Sequence, residues 1–294
     1  MGSNTEILIK NIVDLPTLPQ IITTLLDMLD DPDSSVRDIT NVMGKDQTLV
    51  AKILKLVNSA FYAIPKRVSS VSQAIAILGF KTIKSLVLSA SIIGMFDASD
   101  SDFNYQEFWV NSMGVGTISR FLILKLSGDP YSGCAVLHPD TGFVTGLLAG
   151  IGKVVLEQYC HDDFGQIIAR ARDEKTTFHE AEREVGAAGY ASLGYWLAKR
   201  WNLPDEVQIP IKFQDDIGQC PAEHRSMAAV IAIAKYLCRL KQYGHNGDFD
   251  SPPAPPKQAA VSLALSKDTL PLLTSGLAEE FEKTESFLSM IRSM

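Results

Sequence analysis

Apolar residues recur along this chain with a helical period and almost never alternate. Leu18, Ile21, Ile22, Leu25, Leu26 and Leu29 form one stripe of the i, i+3, i+4 type. Asp31-Pro-Asp-Ser-Ser-Val reads as a turn into a second helix, with Ser35 and Asp38 at capping-box spacing. Leu49, Val50, Ile53, Leu54, Leu56 and Val57 mark a third. Val71 to Leu78, entered through Ser70, and Phe80 to Phe96 predict two more, separated by Gly79. Beyond an acidic boundary at 97–104 (Asp97, Asp100, Asp102), helices are predicted over 105–126, 141–159, 164–173, 178–200, 204–213 and 222–242. Thr177 and Glu180 repeat the capping-box spacing, and Gly186 and Gly189 interrupt the pattern. No strand-like alternation of convincing length occurs, so the expected fold is all-α, a multi-helix bundle.

The same breaks suggest four parts. Residues 1–100 form an N-terminal helical subdomain, 101–243 a second helical domain, 244–257 a tether, and 258–294 a C-terminal helical segment. The tether (Gly-His-Asn-Gly-Asp-Phe-Asp-Ser-Pro-Pro-Ala-Pro-Pro-Lys) is expected to be extended, because its prolines deny it a helix. The last helix carries Leu277, Phe281, Thr284, Leu288 and Ile291 on one stripe. That stripe needs burial on the body, on a partner, or in a homodimer.

Composition narrows the class. A chain of 294 residues with 46% hydrophobic and 21% charged residues is globular rather than disordered. The longest apolar run, Leu86 to Phe96, is about half the roughly 20 residues of a membrane span, so no membrane role is expected. No secretory signal opens the chain, and the cysteines at 134, 160, 220 and 238 form no C-x-x-C pair. A reducing cytoplasm fits that pattern.

The net charge of −7 argues against a general nucleic-acid binder, but charge is unevenly spread. Lys45, Lys52, Lys55, Lys66, Arg67, Lys81 and Lys84 share their stretch with one acid, Asp46. Asp14 to Asp38 holds six acids and one base, Arg37. The basic stretch is a candidate partner-binding face. Its lysines interleave with apolar residues at helical spacing and bring no Arg cluster or Asn/Gln pair suited to base edges, which favours an acidic protein partner over DNA.

Leu147-Leu-Ala-Gly-Ile-Gly-Lys153 resembles a segment that reads Leu-Leu-His-Asp-Ile-Gly-Lys in HD-superfamily phosphohydrolases, where the His-Asp doublet holds a divalent metal. Further landmarks surround it: Leu15-Pro-Thr-Leu-Pro; Asp46 to Tyr62, which contains Asn58-Ser-Ala-Phe-Tyr; Val71-Ser-Gln-Ala-Ile-Ala-Ile-Leu-Gly; Phe108-Trp109; Glu182 to Gly186; and Trp201-Asn-Leu-Pro. Together, over roughly residues 12 to 240, they are similar to the HDOD family, the HD-related output domain of bacterial signalling proteins. The resemblance implies a helical bundle whose second domain is a degenerate HD-like one, a cytoplasmic location, and a non-catalytic role in signal transduction.

Matched position by position, the resemblance implies a dismantled metal site. Asn111, Ala149, Gly150, Tyr190 and Lys235 stand where the enzymes have ligands, and two further His positions fall near Phe213 and Gln214. Ala and Gly have no lone pair to offer, Asn is a poor ligand, and an ammonium repels a cation. No metal, cofactor or catalytic residue is therefore expected. Lys153 survives, and with Lys235 it could hold a phosphate or nucleotide in the former pocket. Alternatively Lys153 snorkels at a helix end or pairs with Glu157.

The literal doublet His161-Asp162 follows an apolar helix and is read as a polar loop. His138, His179, His224 and His245 share no ligand spacing and are assigned surface or capping roles. No Ser/His/Asp or Cys/His arrangement has a local signature, which argues against a metal-independent hydrolase.

Overall fold

The computed structural model describes residues 16–93, 95–96, 103–251, 254–266 and 269–291, without the side chains of 270, 272 and 285–291. Leu15, the acidic boundary at Asp97, Asp100 and Asp102, and the side chains of the stripe positions Leu288 and Ile291 fall outside that description. Among the described residues every regular element is an α-helix or a short 3₁₀ turn.

The chain divides into two compact units, one of which gathers the first four helices with the last helix beyond Ala278. Helix α1 (Gln20–Asp30) buries Ile22, Leu25, Leu26 and Leu29, and Pro19 precedes it without a side-chain cap. Helix α2 (Val36–Met43) is capped by Ser35, whose hydroxyl oxygen accepts from the Asp38 N–H. The Asp38 carboxylate accepts from the Ser35 hydroxyl instead of from the cap backbone, so half of the expected box forms. Helix α3 (Gln47–Val57) is capped by Asp46. Helix α4 (Val71–Ile92) packs against α1, α2 and α3.

Two features shape this unit. Gly79 breaks α4 at φ +78° and ψ 168°, a conformation only glycine adopts cheaply, although open space surrounds it. The helix stops at Ile92, short of the predicted Phe96. Asn58 clamps the loop between α3 and α4: its Oδ1 accepts from Val68 N–H (2.8 Å), and its Nδ2 donates to Val68 O (2.8 Å) and Leu54 O (2.7 Å). By length and composition α4 would pass for a membrane span, but 56% of its apolar window is buried in the fold.

The other unit runs to Leu277. Helix α5 (Tyr105–Leu126) is buried on nearly all sides and packs against α6 (Pro139–Leu148) and α12 (Arg225–Leu240). The predicted helix over 141–159 is two helices, because the chain turns at Ala149 and Gly150 before α7 (Ile151–Tyr159). Helix α8 (His161–Glu174) starts at the literal His-Asp doublet, which is therefore its first turn and not a loop; Asp162 and Asp163 face the positive end of the helix.

The predicted helix over 178–200 likewise splits at Gly186, which caps α9 in the left-handed region, and Gly189. Helix α9 (Phe178–Val185) carries a complete capping box, and α10 (Tyr190–Arg200) follows. After α11 (Asp205–Phe213) come two 3₁₀ turns (Ile217–Gln219 and Ala222–His224), the second of which places His224 at the start of α12. Three short or terminal helices close the order: α13 (Lys257–Ser262), α14 (Thr269–Ser275) and α15 (Leu277–Ile291). Thr284 and Leu277 are buried and Phe281 is half-buried. All four cysteines are free.

The predicted tether is part of the packed fold, at least up to Asp250. The His245 N–H donates to Glu107 O (3.1 Å) on α5, and the Phe249 N–H to Thr176 O (3.0 Å) ahead of α9. The Asp248 side chain is 4% exposed and accepts from the Phe178 N–H (2.9 Å). Prolines begin only after Asp250, so the composition of the whole stretch misleads about its first half.

Candidate functional site

The positions matched to the enzyme's ligands do meet in space. Asn111 on α5, Ala149 and Gly150 at the α6–α7 turn, Lys153 in the first turn of α7, Tyr190 at the start of α10, Gln214 after α11, and Lys235 on α12 line one residual cavity. Its volume is about 10 Å³, room for a single water.

Helices α7 and α10 approach so closely because of Gly152. A Cβ there would lie 1.9 Å from Tyr190 O, so the glycine of the Ile-Gly-Lys motif is held by packing rather than chemistry. At Gly150 a Cβ would lie 3.0 Å from Phe108 Cε2, so the ring crowds the space an Asp side chain would need.

Two buried lysines supply the charge inside. Lys153 is 1% exposed; it donates to Asn246 O (2.8 Å), sits 3.6 Å from Asp248 Oδ1, and lies over the rings of Phe178 (4.5 Å) and Tyr190 (4.9 Å). It neither snorkels nor pairs with Glu157, which accepts instead from Tyr105 OH. Lys235 donates to Tyr190 OH (2.7 Å) and Asp215 Oδ1 (2.6 Å), and Tyr190 OH donates to Asp215 Oδ2. Each ammonium thus has its own carboxylate.

The electrostatics follow from burial and pairing. Burial is the largest influence on Lys153 and lowers its pKa, opposed by Asp248. Burial also pulls Asp248 upward, but Lys153, then Arg239 and Lys235, outweigh it and hold its carboxyl below the usual range. Asp215 behaves the same way under Lys235 and His179. Tyr190 is pushed up, by burial first and then by Asp215.

The remaining donors are also spent. Gln214 Nε2 donates to Ala149 O (2.7 Å) and Ile211 O (2.8 Å), and Asn111 Nδ2 to Tyr243 O (3.0 Å). Phe213 is half-buried and does not line the cavity.

Sequence reasoning missed the acids. Asp215 and Asp248 complete the cluster without a helical-spacing relation to Lys235 and Lys153, and Glu182 joins it through His179, three residues earlier on α9. Glu182 Oε2 accepts from the Tyr190 N–H (2.9 Å), and Glu182 Oε1 faces His179 Nδ1 (3.0 Å). His179 therefore does more than sit beside a cap, since it also lies 4.0 Å from Asp215 Oδ2. His161 faces Glu157 (3.4 Å) and stays outside the cavity.

A divalent metal does not fit this donor set. The positions matched to the enzymes' ligands offer Ala, Gly, a Tyr engaged with Asp215, amides engaged with backbone carbonyls, and a cation. Two ammonium groups add repulsion. The same filling leaves no space for a phosphate in the former pocket, where the surviving lysines could have held one. Among the described residues no group of three or more His, Cys, Asp or Glu is arranged to hold a metal ion.

The basic residues of the other unit are spread over several elements. Lys45 follows α2, Lys52 and Lys55 share one side of α3, Lys66 and Arg67 lie in the clamped loop, and Lys81 and Lys84 are on α4. Lys45, Lys55, Lys66, Arg67 and Lys81 are exposed, and Lys52 is half-buried. Lys84 pairs with Asp30, so one member of the acidic stretch neutralises one of the basic.

The HDOD domain family model matches residues 15–217. A solved HDOD domain protein of unknown function from Geobacter sulfurreducens is similar over 97% of this chain and 98% of its own, at 25% identity and TM-score 0.78. A solved putative phosphohydrolase from Shewanella amazonensis SB2B shares the fold at TM-score 0.71 and 24% identity, over 99% of this chain and 98% of its own. An uncharacterized protein of Treponema pallidum (strain Nichols) is 26% identical over 227 residues, which is 77% of this chain and 42% of that relative's length.

Proposed function

The chain belongs to the HDOD family, a signal-transduction-type domain, and from that premise we propose that it acts by binding partner proteins and not by hydrolysing phosphate esters. The observation that carries this reading is the paired filling of the former metal centre: Lys153 against Asp248, and Lys235 against Asp215. A site built to activate water keeps an open coordination position, whereas here side chains and the 244–250 segment take the space. An acidic protein is the partner class we favour, in the cytoplasm. Lys45, Lys52, Lys55, Lys66, Arg67 and Lys81 are accessible and have no acidic partner among the described residues.

The test has two arms. Purified protein is assayed for divalent metal content and for turnover of phosphodiester substrates, and partners are captured from the native cell by wild type and by a Lys52→Glu/Lys55→Glu variant. Stoichiometric metal with turnover defeats the reading. Capture of an acidic partner that the variant loses supports it, and capture unaffected by the variant removes the basic face from it.

A further inference from the structure

A second, larger cavity of about 380 Å³ opens beside the filled centre, sharing Tyr190, Gln214 and Lys235 with it. That volume lies in the range of small-molecule sites. Its walls come from α9, α12, the start of α13 and the turn at Ile217.

The carboxylates on these walls are engaged only in part. Glu180 accepts from the hydroxyls of Thr176 and Thr177 and from the Thr177 N–H. Asp215 accepts from Tyr190 and Lys235. Asp248 accepts from the Phe178 N–H with Oδ1; its Oδ2 lies 3.5 Å and Asp250 Oδ1 3.3 Å from Arg239 Nη1, and neither oxygen has a hydrogen-bond partner.

The donors are not all used. Arg239 reaches Asp248 (3.5 Å) and Asp250 (3.3 Å) only through Nη1, and its buried Nε has no hydrogen-bond partner. A guanidinium has five N–H donors, so most of this one is unspent. Lys257 is exposed and has no acidic partner among the described residues. Gln258 accepts from the Gly218 N–H through Oε1, which leaves its Nε2 to donate. Ile217 and Ala232 supply apolar wall.

Asp248 and Asp215 are each matched in charge by a buried lysine, and the donors left over on Arg239, Lys257 and Gln258 suit a ligand rich in acceptors. We propose that this outer pocket binds a small organic anion, with its oxyanion held by Arg239, Lys257 and Gln258 and its body against Ile217 and Ala232. A guanidinium fork matches both phosphate and carboxylate geometry, so both sources share this chemistry. The site is independent of partner binding.

The full chain is titrated calorimetrically with inorganic phosphate and with malonate, each against sodium chloride of equal ionic strength. Saturable binding with a Kd of about 1 mM or tighter is expected for at least one of them. Preference for phosphate identifies a phosphorylated ligand, and preference for malonate a carboxylated one. Lys257→Glu, a change at an exposed side chain, should weaken that binding at least about fivefold, and Arg239→Gln about tenfold or more. No saturable binding above the chloride control, or binding unchanged in the Lys257→Glu variant, overturns the proposal even if the Arg239→Gln variant fails to fold.

Discussion

Lys153 Nζ lies 3.6 Å from Asp248 Oδ1, and both side chains are almost wholly buried. This relationship places a charged residue of the predicted tether in the interior of the helical unit. Removing one member of a buried pair leaves the other charge uncompensated, which typically costs about 3–5 kcal/mol. Lys153→Met and Asp248→Asn should each destabilise by about that amount, and the double variant by clearly less than their sum. Urea denaturation of the four proteins checks it, and additive losses would mean the pair is not coupled.

The helical architecture was legible because each helix shows one apolar face, and period alone detects that. Helix ends were less legible. The splits at Ala149–Gly150 and at Gly186–Gly189 leave apolar period running across the break, since the helices on both sides face the same interior. The positions matched to the enzymes' ligands came from resemblance alone; Asn111, Ala149, Gly150, Tyr190, Gln214 and Lys235 line one cavity, and Phe213 does not. What fills that cavity was not legible, because Asp215 and Asp248 meet Lys235 and Lys153 through tertiary packing that no local spacing encodes. The proline count also weighted residues 244–250 toward a tether, although the prolines lie beyond them.

Asn58 tests whether a family signature is structural. Its side chain makes both hydrogen bonds to the Val68 backbone and a third to Leu54 O. Asn58→Ala removes all three, leaving the Val68 N–H and C=O to water or to nothing. A loss of about 1–3 kcal/mol is expected, with faster amide exchange at Val68. Unchanged exchange there would show that the loop holds itself without the clamp.

His179 predicts a pH dependence. Its pKa is raised, first by the hydrogen bond with Glu182 and then, against burial, by Asp215; Lys235 opposes. Stability from a raised imidazole is fully present below the unfolded value of about 6.5 and is lost as pH climbs through the folded value. Unfolding free energy should therefore fall as pH rises above about 6.5, and His179→Gln should flatten that part of the profile. Denaturation midpoints across this window check it, and identical slopes in wild type and variant would contradict the assignment.

Restoring the lost doublet should not restore the metal. In an Ala149→His/Gly150→Asp variant the new Asp side chain meets Phe108, whose Cε2 lies 3.0 Å from the ideal Cβ position. Lys153 and Lys235 would still face the site, and Gln214 would still bond the carbonyl at position 149. Overpacking of this kind costs about 1–3 kcal/mol. The expected outcome is a less stable protein that retains no stoichiometric Mn²⁺ after dialysis. One tightly held ion per chain would show instead that the two lysines yield to a metal.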